Sequence, residues 1–229
     1  NLLWLADPRG QAGMERVAEY LGVEFLPGVV VDATTQLFGI QNPDFALVPE
    51  YPAHPVTREL RTLTLFPGAA ALDWNRAGDW EGQPLLSTVS RAWTETGPLT
   101  GEISFDAGGE ERAGPLDLGF VFQRAHDGTA GEADEPAEAR EQRVIVIGDG
   151  DFISNAYLGN GGNLDLGLNI IEWLGHDDDF IDIRAKAAPD QSLNLSNAQQ
   201  AVIGLGFLVG VPLALVIAGV TIWVRRRKR

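Results

Sequence analysis

Two carboxylates that directly follow a strongly apolar run are the residues of this chain best placed to do chemistry. Arg143–Ile147 (RVIVI) contains four consecutive β-branched residues, which predicts a strand covered on both faces. Asp149 and Asp151 follow it, and ligands of open α/β sheets bind at the carboxyl ends of strands. Asp149, Asp151 and the nearby Asn155 are therefore candidate ligands for a metal ion or a hydroxylated molecule. The alternative is that one carboxylate caps the following segment and accepts hydrogen bonds from turn amides.

The sequence around this turn does not complete a known metal-binding motif. The letters GDGD resemble the start of a calcium loop, but Ser154 stands at the sixth position, where such a loop needs glycine. Asn160 stands at the twelfth position, where it needs glutamate. The run from His176 to Asp179 (HDDD) could also ligate a metal, but no second cluster offers the remaining ligands. We predict no metal site and no cofactor.

Signs of catalysis are missing from the sequence. His54, in HPVT, has no partner in the sequence that would make it a general base. The glycine-rich run 159–163 lacks the Lys and Ser/Thr that a phosphate-binding loop needs after its glycines. The chain contains no cysteine and no G-x-S-x-G motif. We therefore predict a protein without catalytic residues that is not an enzyme.

The elements that must position Asp149 and Asp151 indicate an α/β domain. Two segments have the apolar spacing of a helix: about 11–21, closed by Gly22, and about 164–174, closed by Gly175. Shorter apolar runs predict strands at 2–6, 29–31, 45–48, 62–66, 69–74, 85–93, 116–122 and 143–147, with a further edge strand at 180–184.

One part of the predicted domain differs from the rest in composition. Residues 125–142 are strongly acidic and poor in bulky apolar side chains, which predicts a disordered surface insertion. We expect a single α/β domain over 1–184 that includes this insertion, followed by a polar linker over 185–200. The chain opens on Asn1 inside an apolar run, so we expect it to be the C-terminal part of a longer polypeptide.

The end of the chain has the pattern of a membrane span. No residue from 201 to 224 is charged, and about 20 apolar residues suffice to cross a bilayer. A basic tail follows at once, formed by Arg225, Arg226, Arg227, Lys228 and Arg229. Because basic flanks stay on the cytoplasmic side, we expect the tail inside and the preceding domain outside. Gly204, Gly206 and Gly210 are small residues that would let another membrane helix approach closely.

The net charge of the domain argues against nucleic acid as a partner. The formal charge of the chain is −15, and without the tail residues 1–200 carry 12 basic and 32 acidic side chains, a net charge of −20. Nucleic-acid binding needs clustered Lys and Arg, so this domain is a poor candidate for it.

Several motifs in their order along the chain resemble one family. The resemblance is carried by NLLWLADP, YLGVEFLPGVVVD, HPVT with LFPGAAAL, PLLSTVSRAW, GPLDLGFVF, RVIVIGDGDFISN and LGLNIIEWLGHDDDFIDIRAK, followed by the terminal span and basic tail. Together they resemble the GldG-like proteins, periplasmic auxiliary subunits of gliding-motility-type ABC transporters. The resemblance implies a partial glutamine-amidotransferase-like, flavodoxin-like sheet without the chemistry of those enzymes. It also implies an ABC-2-type permease and a cytoplasmic ATPase as partners.

The sequence thus leaves three functions open, the last of which is a purely structural envelope anchor without an ATPase partner. The first is a non-catalytic auxiliary component of an ABC-2-type transport system, anchored in the bacterial inner membrane with its domain in the periplasm. The second is a membrane-tethered ligand- or metal-binding domain, or an enzyme, that uses Asp149 and Asp151.

Overall fold

The computed structural model describes residues 1–8, 13–76, 78–101, 103–126, 140–176 and 206–227. The contacts divide the chain into two compact units, Asn1–Asp182 and Ile183–Arg229. In the first unit the described residues form two helices, α1 (Glu15–Leu21) and α2 (Asn163–Leu174), and strands β1 (Leu2–Leu5), β2 (Val23–Phe25), β3 (Val29–Asp32), β4 (Phe45–Val48), β5 (Thr64–Pro67), β6 (Leu72–Trp74), β7 (Glu81–Ser87), β8 (Ala92–Glu95), β9 (Asp117–His126) and β10 (Arg140–Ile147).

The main sheet is mixed and curled. Its strand order is β1-β10-β9-β6-β2, with β7 paired to β9 beside this path. Only β1 and β10 run parallel among the described strands of this sheet, with Leu2 opposite Val144; the other pairs are antiparallel. The α/β class is confirmed, but the flavodoxin-like arrangement is not, because β9 and β10 pair as an antiparallel hairpin.

Strand β10 is central, as its run of β-branched residues predicted. It lies between β1 and β9, and both of its faces are buried. Ile145 and Ile147 belong to a large core with α2, while Val144 and Val146 belong to a second core with α1. The strand therefore carries the turn with Asp149 out of the most buried part of the unit.

The two predicted helices are present. Helix α1 buries Ala18 and Leu21 and ends at Gly22, whose φ of 74° is the left-handed conformation expected of a glycine in that place. Helix α2 buries Leu166, Ile170 and Trp173, which lie on one face at the spacing of a helix.

The prediction of one strand over residues 85–93 is wrong. The segment is divided between β7, in the main sheet, and β8, which pairs with β3 in a separate two-stranded sheet. The chain turns between them, with the Ala92 amide donating to the Val89 carbonyl over 3.2 Å. Because LLSTVSRAW has no glycine or proline, the sequence carried no turn signal there.

The two ends of the predicted insertion at 125–142 also differ from expectation. Strand β9 continues to His126, strand β10 begins at Arg140, and these two residues are opposite each other in the ladder. Both ends of the insertion thus belong to a hairpin. Residues 127–139, and the predicted edge strand at 180–184 and linker at 185–200, lie outside the described residues.

The two-stranded sheet of β4 and β5 has side chains bound to its outer edges. On the β4 side, the Leu47 amide donates to Oδ2 of Asp32 over 3.2 Å. On the β5 side, the Leu65 amide donates to Oδ1 of Asn163 over 2.9 Å, and Nδ2 of Asn163 donates to the Leu65 carbonyl over 2.9 Å. Leu47 and Leu65 are opposite each other, and side chains bind the Leu47 amide on one edge and both backbone groups of Leu65 on the other.

The second unit contains an apolar helix. A π-helical turn over Gly206–Gly210 leads into α3 (Val211–Arg227). Gly206–Arg227 is the one helix in the described part of the chain that is long and apolar enough to cross a membrane. Arg225, Arg226 and Arg227 form its last turn, and the Arg227 guanidinium lies 5.3 Å from the centre of the Trp223 ring. Gly204, Lys228 and Arg229 lie outside the described residues.

Candidate functional site

The end of β10 forms a closely packed turn. Because β1 and β10 are parallel neighbours, the residues after their carboxyl ends, Asp7 and Asp149, lie at the same edge of the sheet. Between strand and turn, the Gly148 amide donates to the Leu118 carbonyl over 2.8 Å, and the Ala70 amide donates to the Gly148 carbonyl over 2.7 Å. A Cβ atom at residue 148 would collide with the Ala70 carbonyl oxygen. The glycine thus allows the turn to approach the Ala70 backbone.

Asp149 is buried and only half satisfied. Its residue is 2% exposed. Oδ1 accepts a hydrogen bond of 2.7 Å from the Asp151 amide, while Oδ2 has no hydrogen-bond partner among the described residues. Burial raises the pKa of the Asp149 carboxyl from 3.8 to about 7; the charges of Asp151 and Asp7 add to this rise, while hydrogen bonding to the Asp151 and Phe152 backbone opposes it. The site therefore holds a carboxyl group that exchanges its proton near neutral pH.

Asp151 and Asn155 lie in a different environment from Asp149. Asp151 begins a short 3₁₀ helix, Asp151–Ile153, and both its side chain and that of Asn155 are exposed. The sequence offered the alternative that one of the two carboxylates accepts hydrogen bonds from turn amides, and the bond from the Asp151 amide to Asp149 is such a contact. The structure therefore places Asp149 and Asp151 in one turn, with one carboxylate buried and the other in solvent.

The histidines that the sequence offered as candidate site residues do not form a site in the described part of the chain. His54 is buried, its Nδ1 accepts from the Val56 amide over 3.2 Å, and its ring meets the Trp173 ring edge-on at 5.0 Å. The described residues contain no group of three or more His, Asp or Glu that could hold a metal ion. His176 follows Gly175, the residue that caps α2, and has a φ of 60°; residues 177–179 lie outside the described residues.

The glycine-rich run before α2 packs against β5. The Gly162 amide donates to the Leu63 carbonyl over 2.9 Å, and a Cβ at Gly161 would collide with that same carbonyl oxygen. At the end of the run, Nδ2 of Asn163 also donates to the carbonyls of Phe152 and Tyr157, each over 3.1 Å. The run thus allows Asn163 to connect β5, the 3₁₀ helix and α2.

Sequence reasoning missed the roles of Asn163 and Arg143. Arg143 is 7% exposed, forms an ion pair with Glu141 at 2.8 Å, and donates to the Trp173 carbonyl over 2.7 Å. Its guanidinium also stacks on the Trp173 ring at 4.8 Å. The only signal in the sequence was a charged residue at the start of an apolar strand, which does not identify a partner 30 residues away.

A half-open apolar groove of about 190 Å³ runs beside α2. We call it the α2 groove. Its lining is almost entirely hydrophobic and combines residues of β1, the 3₁₀ helix, the following loop and α2: Leu3, Phe152, Ile153, Leu158, Leu164, Gly167, Leu168, Ile170 and Ile171. The groove lies in the same unit as Asp149 and takes in the end of the 3₁₀ helix that Asp151 begins.

Comparison with known proteins gives a family for the chain. A solved structure titled "mmIFT52 N-terminal domain" is 16% identical with a TM-score of 0.46; the match covers 76% of this chain and 63% of that one. None of the curated proteins matches. The profile of a family described as an "ABC-type uncharacterized transport system" matches residues 2–181, nearly all of the first compact unit. The chain therefore belongs to this family of auxiliary components of ABC-type transport systems.

Proposed function

We propose that the chain is a non-catalytic, membrane-anchored auxiliary component of an ABC-2-type transport system. The observation that carries the proposal is the family match over residues 2–181. The apolar helix Gly206–Arg227 supports the anchoring. In finer terms the chain is a GldG-like subunit, and its system is one of the gliding-motility type.

The proposed topology follows from charge. Residues 201–224 cross the bacterial inner membrane, and the basic tail 225–229 stays in the cytoplasm because translocation of basic flanks is disfavoured. The acidic domain 1–184 is then periplasmic, joined to the span by the linker 185–200. In this arrangement the span can meet the permease within the bilayer, and the permease connects the chain to the cytoplasmic ATPase.

Substitution of a membrane glycine tests the contact with the permease. Gly206 has no atom within 4 Å of the place where a Cβ would stand, so Gly206→Leu leaves the chain itself unstrained and fills the space that a neighbouring helix would use. We expect the tagged full-length chain, purified in mild detergent, to retain the permease and ATPase, and the variant to retain about tenfold less.

The matched control is Gly219→Leu, because Gly219 lies on the same helix and is equally open. We expect this variant to retain both subunits as the wild type does. Equal retention by Gly206→Leu would contradict the helix contact. Recovery of the wild-type chain without any transporter subunit would contradict the proposed function itself.

A second candidate function is ligand binding at Asp149. It is favoured by one observation, the buried Oδ2 atom that has no hydrogen-bond partner among the described residues. A divalent cation or a sugar hydroxyl that reached this buried atom would satisfy it, with Asp151 exposed in the same turn and Asn155 exposed in the segment that follows. In this alternative the membrane helix only tethers a binding domain.

Ligand binding at this turn predicts a thermal shift. If Ca²⁺, Mg²⁺ or a simple sugar binds, we expect a ligand at about one hundred times its Kd to stabilise the folded chain by about 2.7 kcal/mol. The double substitution of Asp149→Asn and Asp151→Asn should abolish the shift. A wild-type melting temperature that none of these ligands changes would eliminate the alternative.

A further inference from the structure

An apolar line of side chains is exposed along α2. Leu164, Leu168 and Ile171 are 41%, 43% and 62% exposed. Their spacing of four and three residues places them on one face of the helix. This face borders the α2 groove, where Leu3 from β1, Ile153 from the 3₁₀ helix and Leu158 from the loop continue the apolar surface. Contiguous apolar surfaces of this kind mark interaction sites.

A glycine lies in the lining of the groove. Gly167 lies inside α2, where glycine destabilises a helix relative to alanine. A Cβ at this position would stand 3.1 Å from Cγ2 of Ile153, closer than comfortable packing allows. The glycine therefore lets α2 pack closely against the 3₁₀ helix, and the two together form the floor of the groove.

The charged side chains next in sequence to the groove lining have one sign. Residues 144–176, which include α2, the 3₁₀ helix and the loop, contain four carboxylates and no Lys or Arg. Glu172 is exposed on α2 next to Ile171, and Asp151 is exposed at the start of the 3₁₀ helix. The part of the groove border that these described elements supply is therefore acidic.

We propose that the α2 groove binds an apolar segment flanked by Lys or Arg, presented as an amphipathic helix by another subunit of the transport system. This inference rests on the proposed function. Leu164, Leu168 and Ile171 form an apolar wall on which the apolar face of a docked helix can lie, and the acidic border is complementary to basic flanks. A second copy of this chain is the wrong partner, because two acidic borders would face each other.

The experiment is a retention assay with the full chain. The tagged chain is co-expressed with the permease and ATPase of its system and purified in mild detergent. Leu168→Glu places a charge at the centre of the apolar line, and we expect about tenfold less permease to be retained. Glu172→Lys reverses a border charge and should lower retention about threefold at low salt, with a smaller effect at high salt.

The matched control is Leu37→Glu. Leu37 is 73% exposed on another 3₁₀ helix of the same unit, Thr35–Phe38, so the change has the same chemistry at a different surface. We expect this variant to retain the permease as the wild type does. We also expect Leu168→Glu and Leu37→Glu to melt at the temperature of the wild type, since exposed positions tolerate such changes.

Four results would overturn the inference. If the wild type retains the permease and Leu168→Glu retains as much, the groove inference is overturned and the proposed function is not. A melting temperature lowered only by Leu168→Glu would show that the groove is filled by this chain itself. A wild-type dimer that Leu168→Glu dissociates would assign the groove to a second copy. A wild type that retains no transporter subunit would overturn the inference together with the proposed function.

Discussion

Asn163→Leu is expected to lower the free energy of unfolding by about 4 kcal/mol. The two side chains have nearly the same shape, so the change removes hydrogen bonds without opening a cavity. Asn163 is fully buried and accepts from the Leu65 amide, while the two Nδ2 hydrogens are shared among the carbonyls of Leu65, Phe152 and Tyr157. Each buried backbone group left without a partner costs about 1–3 kcal/mol. This loss is large against a typical total stability of about 5–15 kcal/mol.

The measurement is urea unfolding of the full chain, followed by tryptophan fluorescence. The matched control is Asn155→Leu, which makes the same change at an exposed position of the adjoining loop. Its effect should stay within about 0.5 kcal/mol. If the two variants lose similar stability, the hydrogen bonds of Asn163 do not hold β5, the 3₁₀ helix and α2 together.

Asp149→Asn is expected to stabilise the chain above neutral pH. Burial raises the pKa of the Asp149 carboxyl in the folded state to about 7, against 3.8 for an ordinary aspartate. Between these two values the folded state binds more protons than the unfolded state, so the wild type loses stability as the pH rises from about 4 to 7. The rise in pKa corresponds to about 4 kcal/mol of unfolding free energy. The wild type lacks this free energy above about pH 7 and loses none of it below about pH 4.

The asparagine that replaces Asp149 would keep an oxygen for the Asp151 amide and carry no charge at any pH. We therefore expect the difference in free energy of unfolding between variant and wild type to be small at about pH 4 and to reach its plateau by about pH 8. An exposed carboxylate, Asp79, serves as the control: Asp79→Asn should follow the wild-type curve. Parallel curves for Asp149→Asn and the wild type would mean that the pKa of Asp149 is the same in the folded and unfolded chain.

The sequence predicted the elements whose signals are local. Four consecutive β-branched residues identified the central strand β10, apolar spacing identified α2, and Gly22 was recognised as the end of α1. These features depend on periodicity and on the backbone freedom of glycine, which are readable within a few residues. The same holds for the turn contact between Asp149 and Asp151, whose two residues are adjacent to one strand end.

The features that were missed depend on distant residues. Strands β9 and β10 pair antiparallel although a long acidic segment separates them in sequence. No short turn motif between the two strands indicated this pairing. The bonds of Asn163 to Leu65, and the stacking of Arg143 on Trp173, connect residues far apart in the chain. No residue type at position 163 or 143 indicates which backbone groups the fold will bring near it.

The side chains on the sheet of β4 and β5 also bear on how the protein behaves at high concentration. The sequences of these strands, FALV and TLFP, carry no charge, so the strands themselves contain nothing that repels a strand from another chain. Edge-to-edge association begins when a free amide or carbonyl at a strand edge accepts a foreign strand. Asp32 already binds the Leu47 amide, and Asn163 already binds both backbone groups of Leu65. These two polar residues therefore protect the edges of this small sheet from self-association without a single charge on the strands themselves.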